Sequence, residues 1–572
     1  MNETATRKAI VSRLTALDGP FPISRTTVRG VDLNVYEGAP TTFREILLSG
    51  AKWGERPAIT YEDETLTWTQ YLNIVARISK VLVERYEVRA GDRVALALRN
   101  YPEWILGYAA AVSIGAVCVP LNSWWSGAEI AYALADCTPK VFIGDRERVA
   151  SIIEQRSHLP YLDVVIEVRP GTTVRGDVDW NTLLASEAEE FDYSTLPMDV
   201  DDDCTILYTS GTTGAPKGAV ATHRSHMTTV SNFRLQVAVE AEMSTLRGDP
   251  VPAPLTHPTT LIPGPLFHVS YLPKIHLAPI SGMQLVLMYK WDAQRAVELI
   301  NSLDVDSFTG VPTVARQLMD TAAELGSTLP SLRSLTTGGA QTSTTLVSRI
   351  ATQFGPRVGS GTGYGLTETT GPMVYIGSRD LFSRPLSVGR PFPTSEVRIV
   401  DADGFDVAVG EVGEIWFKGP NVARGYWNRN GGAFTDEGWF RSGDLVTRDE
   451  EGFVAIVDRI KDIVIRAGEN VYCSEVEEAL STHPAVEDAA VIGAPHELWG
   501  EQVVAVVHTR TAVTADDLTV FVSDKLAPYK IPTTFIIGSH PLPRNAAGKV
   551  LKRQLRETLI AENISSQSNQ NA

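Results

Sequence analysis

Short runs of apolar, often β-branched residues alternate with helical patterns up to about residue 390, and this alternation constrains the fold more than any other feature. The stretch 292–303 is amphipathic, with Asp292 placed to cap its amino end, and so is typical of a helix. Apolar strands separated by such helices are typical of α/β folds with covered, mostly parallel sheets. The predicted strands are RVALAL (93–98), VCVPL (117–121), KVFIG (140–144), DVVIEV (163–168), CTILYT (204–209), QLVLMY (284–289) and SLTTG (334–338).

The pattern changes twice further along the chain. From about residue 390 the strands shorten and turn glycines become frequent, which predicts a compact β-rich subdomain over about 390–459. A second change falls at residues 458–462. Beyond it, Ser474 and Glu477 have the spacing of a capping box at a helix start. We therefore predict an α/β protein with a large N-terminal domain of covered α/β sheets, this β-rich subdomain, and a small α+β C-terminal domain.

Composition excludes several functional classes. The net charge is −17, whereas nucleic-acid binders normally carry a basic face. Four cysteines in 572 residues, with no C-x-x-C spacing, predict neither a disulfide framework nor a structural zinc site. The first twenty residues mix both charge signs without an apolar segment, so we expect no secretory signal and a cytoplasmic location.

One uncharged stretch, residues 104–128, is a candidate for a membrane span. Gly107, Gly115 and Pro120 interrupt it, and its apolar part falls short of the roughly 20 residues that a span needs. We expect a buried helix over 104–114 that turns at Gly115 into a core strand, and no transmembrane segment.

The segment YTSGTTGAPKG (208–218) follows an apolar strand and is the strongest chemical signal. Its glycines let backbone N–H groups turn toward phosphate oxygens, its hydroxyls add donors, and Lys217 supplies charge. The segment is not a Walker loop, because Lys217 follows Pro216 and precedes Gly218. Taken alone, it is also compatible with an ordinary flexible Ser/Gly/Thr loop.

The segment GYGLTETTG (363–371) combines three groups suited to a nucleotide. The ring of Tyr364 can stack on a purine, the hydroxyl of Thr367 can reach a phosphate, and the carboxylate of Glu368 can hold Mg²⁺. The alternative for Tyr364 is a core position. The glycines around it do not fit G-x-G-x-x-G at any offset, which disfavours a dinucleotide-binding fold.

Three further residues have both a functional and a structural interpretation. Asp444 lies in a Ser-Gly turn, where it either caps the turn or binds two ribose hydroxyls. His268, in an apolar context, is either a core histidine or part of a site. The stretch 543–556 has five basic residues and no acid; it is a solvated helix face or an anion site, and Lys549 follows Asn-Ala-Ala-Gly, a sequence suited to a mobile loop.

Taken together, six segments in this order resemble those of the AMP-forming acyl-CoA synthetases, members of the acyl-adenylate-forming superfamily, and the resemblance covers nearly the whole chain. It implies an N-terminal adenylate-forming domain over 1–459, a mobile C-terminal domain over 462–572 and a hinge at about 460–462. The segments are YTSGTTGAPKG (208–218), PLFHVS (265–270), GYGLTETTG (363–371), GWFRSGDL (438–445), DRIKDIVIRAGENVY (458–472) and PRNAAGKVLKRQLR (543–556).

The resemblance implies a role for each candidate site residue. The catalytic group would contain a lysine that bridges the acyl carboxylate and the α-phosphate, phosphate-binding threonines, a magnesium-binding glutamate and a histidine beside the acid: Lys549, Thr209, Thr367, Glu368 and His268. The residues implied to bind ATP are Ser210, Gly211, Thr212, Thr213, Gly214, Lys217, Gly338, Gly339, Ala340, Gly363, Tyr364, Asp444 and Arg459. Gly468 is implied to face coenzyme A.

The implied reaction has two halves, with ATP, Mg²⁺ and coenzyme A as cofactors. A carboxylate first attacks the α-phosphorus of ATP and releases pyrophosphate. The C-terminal domain then turns about Lys461, removes Lys549 and presents the loop of Gly468, after which the thiol of coenzyme A displaces AMP. The chain departs from the family at Ala467, where relatives commonly have glycine, and at Cys473 and Gln341, where many have proline.

The acid is the least determined element of the prediction. We expect a medium- or long-chain fatty acid, with an aryl or steroid-side-chain acid as the alternative, in a pocket between about 230–275 and 310–342. A ligase that passes the acyl group to a carrier protein or an amine stays open. The intact residues Lys217, Glu368 and Asp444 argue against a non-catalytic nucleotide-binding homologue. A homodimer is also left open, and no nucleic-acid partner is expected.

Overall fold

The computed structural model describes residues 3–185, 191–209, 215–249, 255–429, 431–546 and 548–559. A further helical segment covers 552–559. The helices are α1 (Glu3–Leu14), α2 (Phe43–Ser49), α3 (Trp68–Lys80), α4 (Pro102–Ser113), α5 (Gly127–Cys137), α6 (Arg146–Ile153), α7 (Trp180–Leu184), α8 (His223–Arg247), α9 (Leu272–Ser281), α10 (Ala293–Ser302), α11 (Pro312–Glu324), α12 (Thr344–Phe354), α13 (Ser378–Ser383), α14 (Cys473–Ser481) and α15 (Ala515–Ser523).

The strands form four sheets. They are β1 (Ile23–Val28), β2 (Val31–Tyr36), β3 (Pro57–Tyr61), β4 (Glu64–Thr67), β5 (Arg93–Ala97), β6 (Val117–Pro120), β7 (Val141–Asp145), β8 (Val164–Val168), β9 (Val178–Asp179), β10 (Asp203–Thr209), β11 (Lys217–Thr222), β12 (Thr259–Ile262), β13 (Gln284–Leu287), β14 (Ser307–Gly310), β15 (Ser334–Thr337), β16 (Gly359–Leu366), β17 (Gly371–Gly377), β18 (Ser387–Pro391), β19 (Glu396–Val400), β20 (Gly413–Lys418), β21 (Phe440–Arg448), β22 (Val454–Arg459), β23 (Val464–Arg466), β24 (Glu469–Val471), β25 (Val486–His496), β26 (Gly500–Thr509) and β27 (Thr534–Gly538).

The first large sheet has seven strands in the order β11-β10-β6-β5-β7-β8-β9. Its strands are parallel except for the antiparallel pair β10–β11. Helix α4, predicted from the uncharged stretch, is buried along almost its whole length. With twelve residues it is a core helix. Among the described residues, no helix combines the length and the apolar character needed to cross a membrane.

The second large sheet has thirteen strands in the order β19-β20-β21-β22-β18-β17-β16-β15-β14-β12-β13-β3-β4. Strands β3 and β12 to β16 pair in parallel, and from β16 through β22 to β19 the pairing is antiparallel. The region predicted as a β-rich subdomain therefore continues the sheet of the α/β part through β17 and β18. Strand β16 pairs in parallel with β15 and antiparallel with β17, so the parallel part of the sheet joins its antiparallel extension at β16.

The C-terminal part has a five-stranded sheet, β24-β23-β26-β25 with β27 beside β26, covered by α14 and α15. The large α/β part and this small part together confirm the predicted fold class. The capping box predicted at Ser474 and Glu477 is wrong: α14 begins at Cys473, and the Ser474 hydroxyl donates to the Val457 carbonyl. Glu477 instead accepts from the Val491 N–H at 2.7 Å and pairs with Lys552 at 2.7 Å.

Candidate functional site

An aspartate held between two strands forms the base of the candidate site. Asp444 lies within β21 rather than in the predicted Ser-Gly turn, opposite Arg459 of β22, and is 3% exposed. The Tyr364 hydroxyl donates to Asp444 Oδ2 at 2.6 Å, and Arg459 Nε lies 2.9 Å from Oδ1. The Arg459 contact is an ion pair that lacks hydrogen-bond geometry, and within the described part of the chain Oδ1 is buried with no other partner. The carboxylate is therefore oriented and still has an acceptor oxygen to offer a ligand hydroxyl.

Tyr364 is buried at 8% exposure in β16, and its ring lies 5.6 Å from that of Phe417. Burial, followed by the charge of Asp444, raises the pKa of the tyrosine well above its ordinary value, so the hydroxyl stays protonated and donates. Tyr364 is therefore both a buried core residue and a neighbour of Asp444 in the candidate site. Its stacking on adenine stays a prediction.

The turn after β16 brings a second carboxylate to the same edge. Glu368 is 9% exposed, and its Oε1 accepts from the Tyr426 hydroxyl at 2.8 Å. Burial raises the pKa of Glu368, while the Tyr426 hydrogen bond lowers it. Lys217 Nζ lies 5.2 Å from the centre of the Tyr426 ring. The sequence analysis missed Tyr426; its position beside glycine in Gly425-Tyr426 was the only local signal.

No cluster of three or more histidine, cysteine or acidic side chains suited to a metal exists among the described residues. A magnesium ion at this edge would rest on Glu368 and on oxygens that the nucleotide brings. Mg²⁺ commonly binds through one or two carboxylates plus substrate phosphates, so the residues present fit the ion. Thr367 lies next to Glu368 in the same turn, and Thr209 Oγ1 donates to the Lys217 carbonyl at 3.4 Å.

Lys549 reaches the site from the C-terminal part. Its loop is closed by Asn545, whose side chain accepts from the Lys549 N–H at 2.9 Å and whose own N–H donates to the Lys549 carbonyl at 2.9 Å. An alanine Cβ at Gly548 would lie 2.7 Å from Val311 Cγ2, at the end of β14. The loop is thus seated tightly against the N-terminal part.

The pKa shifts of Lys549 and His268 show which charged groups lie near this lysine. Burial, followed by the charge of Arg459, lowers the pKa of Lys549 to about 7, while Asp444 acts in the opposite direction. His268 is affected in turn: burial, followed by the charge of Lys549, lowers its pKa to about 4. Lys549 is therefore close enough to interact electrostatically with His268 and with the pair of Asp444 and Arg459.

The tautomer of His268 follows from its neighbours. The Ser270 N–H donates to Nδ1 at 3.3 Å, and the Ser270 hydroxyl lies 2.8 Å from the same nitrogen. A backbone N–H can only donate, so Nδ1 is the acceptor and the neutral ring carries its proton on Nε2. This N–H is available to an oxygen of a bound acid. The residues just before His268 form a turn after β12.

Two glycines, Gly338 and Gly339, leave open space along one wall of the site. A Cβ at Gly338 would meet only the Gly363 carbonyl, at 3.9 Å. Gly339 has φ +77°, and a Cβ there would lie 3.5 Å from Val311 Cγ1. Ala340 follows in the same loop. Val311, also missed by the sequence analysis, therefore contacts both this wall and the Lys549 loop.

One predicted residue, Gly468, is not brought into this cluster. Gly468 lies on the exposed hairpin between β23 and β24, and a Cβ there would have no neighbour within 4 Å. Ala467, at φ +51°, is equally exposed, so its methyl group crowds nothing here. The remaining phosphate-loop residues, Ser210, Gly211, Thr212, Thr213 and Gly214, lie outside the described residues.

The chain matches the AMP-binding enzyme family over residues 48–427 and the AMP-binding enzyme C-terminal domain over 475–549. It is 33% identical over 513 residues to a 2-succinylbenzoate–CoA ligase of Bacillus velezensis, covering 88% of this chain and 95% of that protein. It is 32% identical over 511 residues to a long-chain-fatty-acid–CoA ligase of Mycobacterium tuberculosis, covering 87% and 94%.

Solved structures of CoA synthetases also resemble this chain in fold. The o-succinylbenzoate CoA synthetase of Bacillus subtilis, in complex with its acyl-adenylate intermediate, superimposes with a TM-score of 0.75 at 30% identity, covering 89% of this chain and 97% of that one. The same enzyme is also known with ATP and a magnesium ion, with a TM-score of 0.73. This chain belongs to the AMP-binding enzyme family, in the group that contains the AMP-forming acyl-CoA synthetases.

Proposed function

We propose that this protein is an ATP- and Mg²⁺-dependent ligase that joins a carboxylic acid to coenzyme A through an acyl-adenylate. The observation that carries the proposal is the loop of Lys549, which approaches Val311 of the N-terminal part at Gly548 and brings the ammonium within electrostatic range of His268 and the Asp444–Arg459 pair. Such a lysine faces a carboxylate and a phosphate at once, as the first half-reaction requires.

In that half-reaction the acid's carboxylate oxygen attacks the α-phosphorus, the bond to the β-phosphate oxygen breaks, and pyrophosphate leaves. Lys549 supplies positive charge where negative charge spreads over the phosphate oxygens, and the protonated Nε2 of His268 orients the attacking carboxylate. Asp444 holds the ribose through Oδ1, the oxygen that is ion-paired with Arg459 but accepts no hydrogen bond of good geometry. Magnesium, when bound, neutralises phosphate charge; Glu368 is the residue that would hold it.

In the second half-reaction the thiol sulfur attacks the acyl carbon, the bond to the AMP oxygen breaks, and the thiol proton leaves to solvent. The hairpin of Gly468 is the proposed coenzyme A face, after a turn about Lys461 has withdrawn Lys549. Gly468 has φ +89° and open space around it, which leaves room for a pantetheine chain. A carrier protein or an amine as acceptor is the second candidate, because the departure at Ala467 falls on this hairpin.

The acid is proposed as hydrophobic, a fatty acid or an aryl or steroid-side-chain acid. The two relatives named above act on a succinylbenzoate and on long-chain fatty acids, so the family alone does not separate these classes. Four free, buried cysteines support a reducing, cytoplasmic location. A homodimer is the assembly to test by size-exclusion chromatography.

The test is mass spectrometry of the products formed from MgATP, coenzyme A and a panel of fatty, aromatic and steroid-derived acids. We expect AMP and one acyl-CoA in equal amounts, and acyl-AMP when coenzyme A is omitted. Lys549→Ala is the negative control for adenylation. AMP without a thioester would overturn the coenzyme A assignment, and absence of AMP with every acid would overturn the ligase proposal.

A further inference from the structure

A carboxylate of the C-terminal part binds the first residue of a helix in the N-terminal part. Helix α12 begins at Thr344, and its first turn contains no acidic residue. The Thr344 N–H donates to Glu478 Oε1 at 3.1 Å, and the Thr344 hydroxyl donates to the same oxygen. The first N–H groups of a helix have no partner within the helix, and its positive end favours a carboxylate. Glu478 of α14 therefore supplies to α12 a charge that its own first turn lacks.

This contact lies beside one wall of the candidate site. The loop of Gly338 and Ala340 continues through Thr342 into α12, and the hydroxyls of Thr337 and Thr342 lie 2.8 Å apart. Three residues separate Ala340 from Thr344. The glutamate therefore joins the C-terminal part to the rest of the chain at the edge of the site.

A second hydrogen bond crosses the same boundary from helix α11. Arg316 lies in the second turn of this helix, and its Nη1 donates to the carbonyl of Glu487 in β25. Val311, against which Gly548 is seated, directly precedes α11. The beginning of α11 therefore contacts the C-terminal part at two places, and one of them is the loop of Lys549.

The strand that accepts the hydrogen bond of Arg316 also holds the Lys549 loop. Asp488, the residue after Glu487 in β25, forms an ion pair with Arg544. Arg544 Nη1 also donates to the Gly548 carbonyl at 2.5 Å, and Lys549 is the next residue. Fixing β25 against α11 therefore also fixes the backbone that carries Lys549.

The polar groups of Glu478 and Arg316 are bonded only across this boundary. Both side chains are half-buried. Among the described residues, no hydrogen bond or ion pair joins the Glu478 carboxylate or the Arg316 guanidinium to a group of its own part. Because a buried polar group without a hydrogen bond is costly, these two side chains favour the orientation in which both are bonded.

We propose that Glu478 and Arg316 are positioning residues of the adenylation step, and that their contacts decide what fraction of the protein is docked, with the Lys549 loop against Val311. This inference rests on the proposed two-step ligase function. The hairpin of Gly468 belongs to the same small part as Glu478, so it reaches the site only after that part has turned. The hydrogen bonds of both side chains then break. Neither side chain touches a reactant; both act through the position of Lys549.

The test measures the orientation of the two parts directly, by pulsed electron paramagnetic resonance between two nitroxide labels. The labels are attached at exposed positions, Ala323→Cys in α11 and Ala515→Cys in α15. The four native cysteines are buried and so react poorly with the label. Rapid-quench kinetics of each half-reaction are measured on the same variants without labels.

Four variants are compared with the wild type: Glu478→Ala, Glu478→Gln, Arg316→Met and, as a matched control, Glu475→Ala. Glu475 is an exposed glutamate of the same helix, and its ion pair with Lys530, at 2.7 Å, lies within the C-terminal part. The control therefore removes an equal charge without touching the boundary between the two parts.

We expect Glu478→Ala to lower the ratio of docked to undocked protein about tenfold, the loss expected for hydrogen bonds to a charged group. Only the docked fraction forms acyl-adenylate, so adenylation slows by up to the same factor, while thioester formation from supplied acyl-adenylate is not slowed. Glu478→Gln should restore most of the docked fraction, because the amide oxygen still accepts from both donors of Thr344. Arg316→Met should act in the same direction as Glu478→Ala, and Glu475→Ala should change neither measurement.

The two proposals fail differently. If thioesters form but Glu478→Ala combined with Arg316→Met keeps the wild-type distances and adenylation rate, the positioning role is wrong and the ligase stands. Equal slowing of both half-reactions at unchanged distances would also overturn the positioning role. If the distances shift as expected while no acid gives AMP, the two side chains hold the orientation and the ligase proposal is wrong.

Discussion

Two loops of the C-terminal part differ in every physical respect that matters for the reaction. The loop of Gly548 and Lys549 is seated against Val311 and carries a lysine with a pKa of about 7. The hairpin of Ala467 and Gly468 is exposed: a Cβ at Gly468 would have no neighbour within 4 Å, and the Ala467 N–H donates to the Trp499 carbonyl of the same part of the chain. The difference teaches that the loop of Lys549 contacts the N-terminal part in this structure, whereas the hairpin of Gly468 does not.

The strongest test of this difference between the two loops is the variant Lys549→Ala. We expect adenylation to fall about 10²- to 10³-fold, as when one donor to a transition-state charge is deleted, while thioester formation from supplied acyl-adenylate survives. Rapid-quench measurement of each half-reaction decides. The control is Arg553→Ala, which removes an exposed cation of the same terminal segment. Equal losses in both halves would contradict the assignment of one loop to one step.

Asp444→Ala should act on both steps, because the ribose remains bound through both. Loss of a charge-assisted hydrogen bond predicts a rise of about 10- to 100-fold in the KM for ATP. The same variant should weaken supplied acyl-adenylate to a similar degree. Steady-state kinetics with each ligand test this, and an unchanged KM for ATP would remove Asp444 from the ribose site.

The two glycines provide a matched pair. Gly548→Ala adds a Cβ 2.7 Å from Val311 Cγ2 at φ +82°, whereas Gly468→Ala adds one in open space at φ +89°. Both pay the left-handed strain of about 1–2 kcal/mol, and only the first also clashes. We expect Gly548→Ala to lower adenylation roughly tenfold or more, and Gly468→Ala to leave adenylation unchanged and lower only thioester formation.

A second change separates clash from strain at Gly548. Val311→Ala combined with Gly548→Ala should recover part of the adenylation rate, because the smaller side chain removes the contact and leaves the backbone strain. If the double variant is no faster than Gly548→Ala, the loop does not work through its contact with Val311.

The smallest expected effect is at Ala467. Its φ of +51° is unfavourable for alanine, so Ala467→Gly should stabilise the hairpin by about 0.5–1 kcal/mol, the left-handed cost less the backbone entropy of glycine. Thermal unfolding with a two-domain fit measures it. A loss of stability would mean that the alanine methyl makes a contact absent from the described hairpin.

Features of the fold and site that depend on neighbouring residues could be predicted from the sequence, whereas contacts between distant segments could not. The strands from 93–98 to 334–338 were predicted because hydrophobic pattern is local, and all appear in the sheets. The motifs placed Tyr364, Asp444 and Arg459 among the candidates, and the sheet brings their side chains together. Their roles toward a nucleotide stay predictions.

What the sequence left out are contacts between distant segments. The hydroxyl of Tyr426 meets Glu368, and Val311 meets Gly548, across separations that no local pattern encodes. The capping box failed for the same reason. Glu477 has a distant cation, Lys552, and a backbone N–H on a neighbouring strand, and these outcompete the local cap.

On the proposed mechanism, the depressed pKa of Lys549 couples the docking of its loop to the release of a proton. A lysine in water has an ordinary pKa of 10.5, and in the docked loop it is about 7, so docking without ligand releases a proton and grows more favourable as pH rises from 7 toward 10. The arriving phosphate and carboxylate reverse the sign, since anions raise the lysine's pKa and recapture the proton. At neutral pH the enzyme would then draw protons from its buffer as it takes up substrate, and the measured heat of binding would change with the buffer's own heat of ionisation.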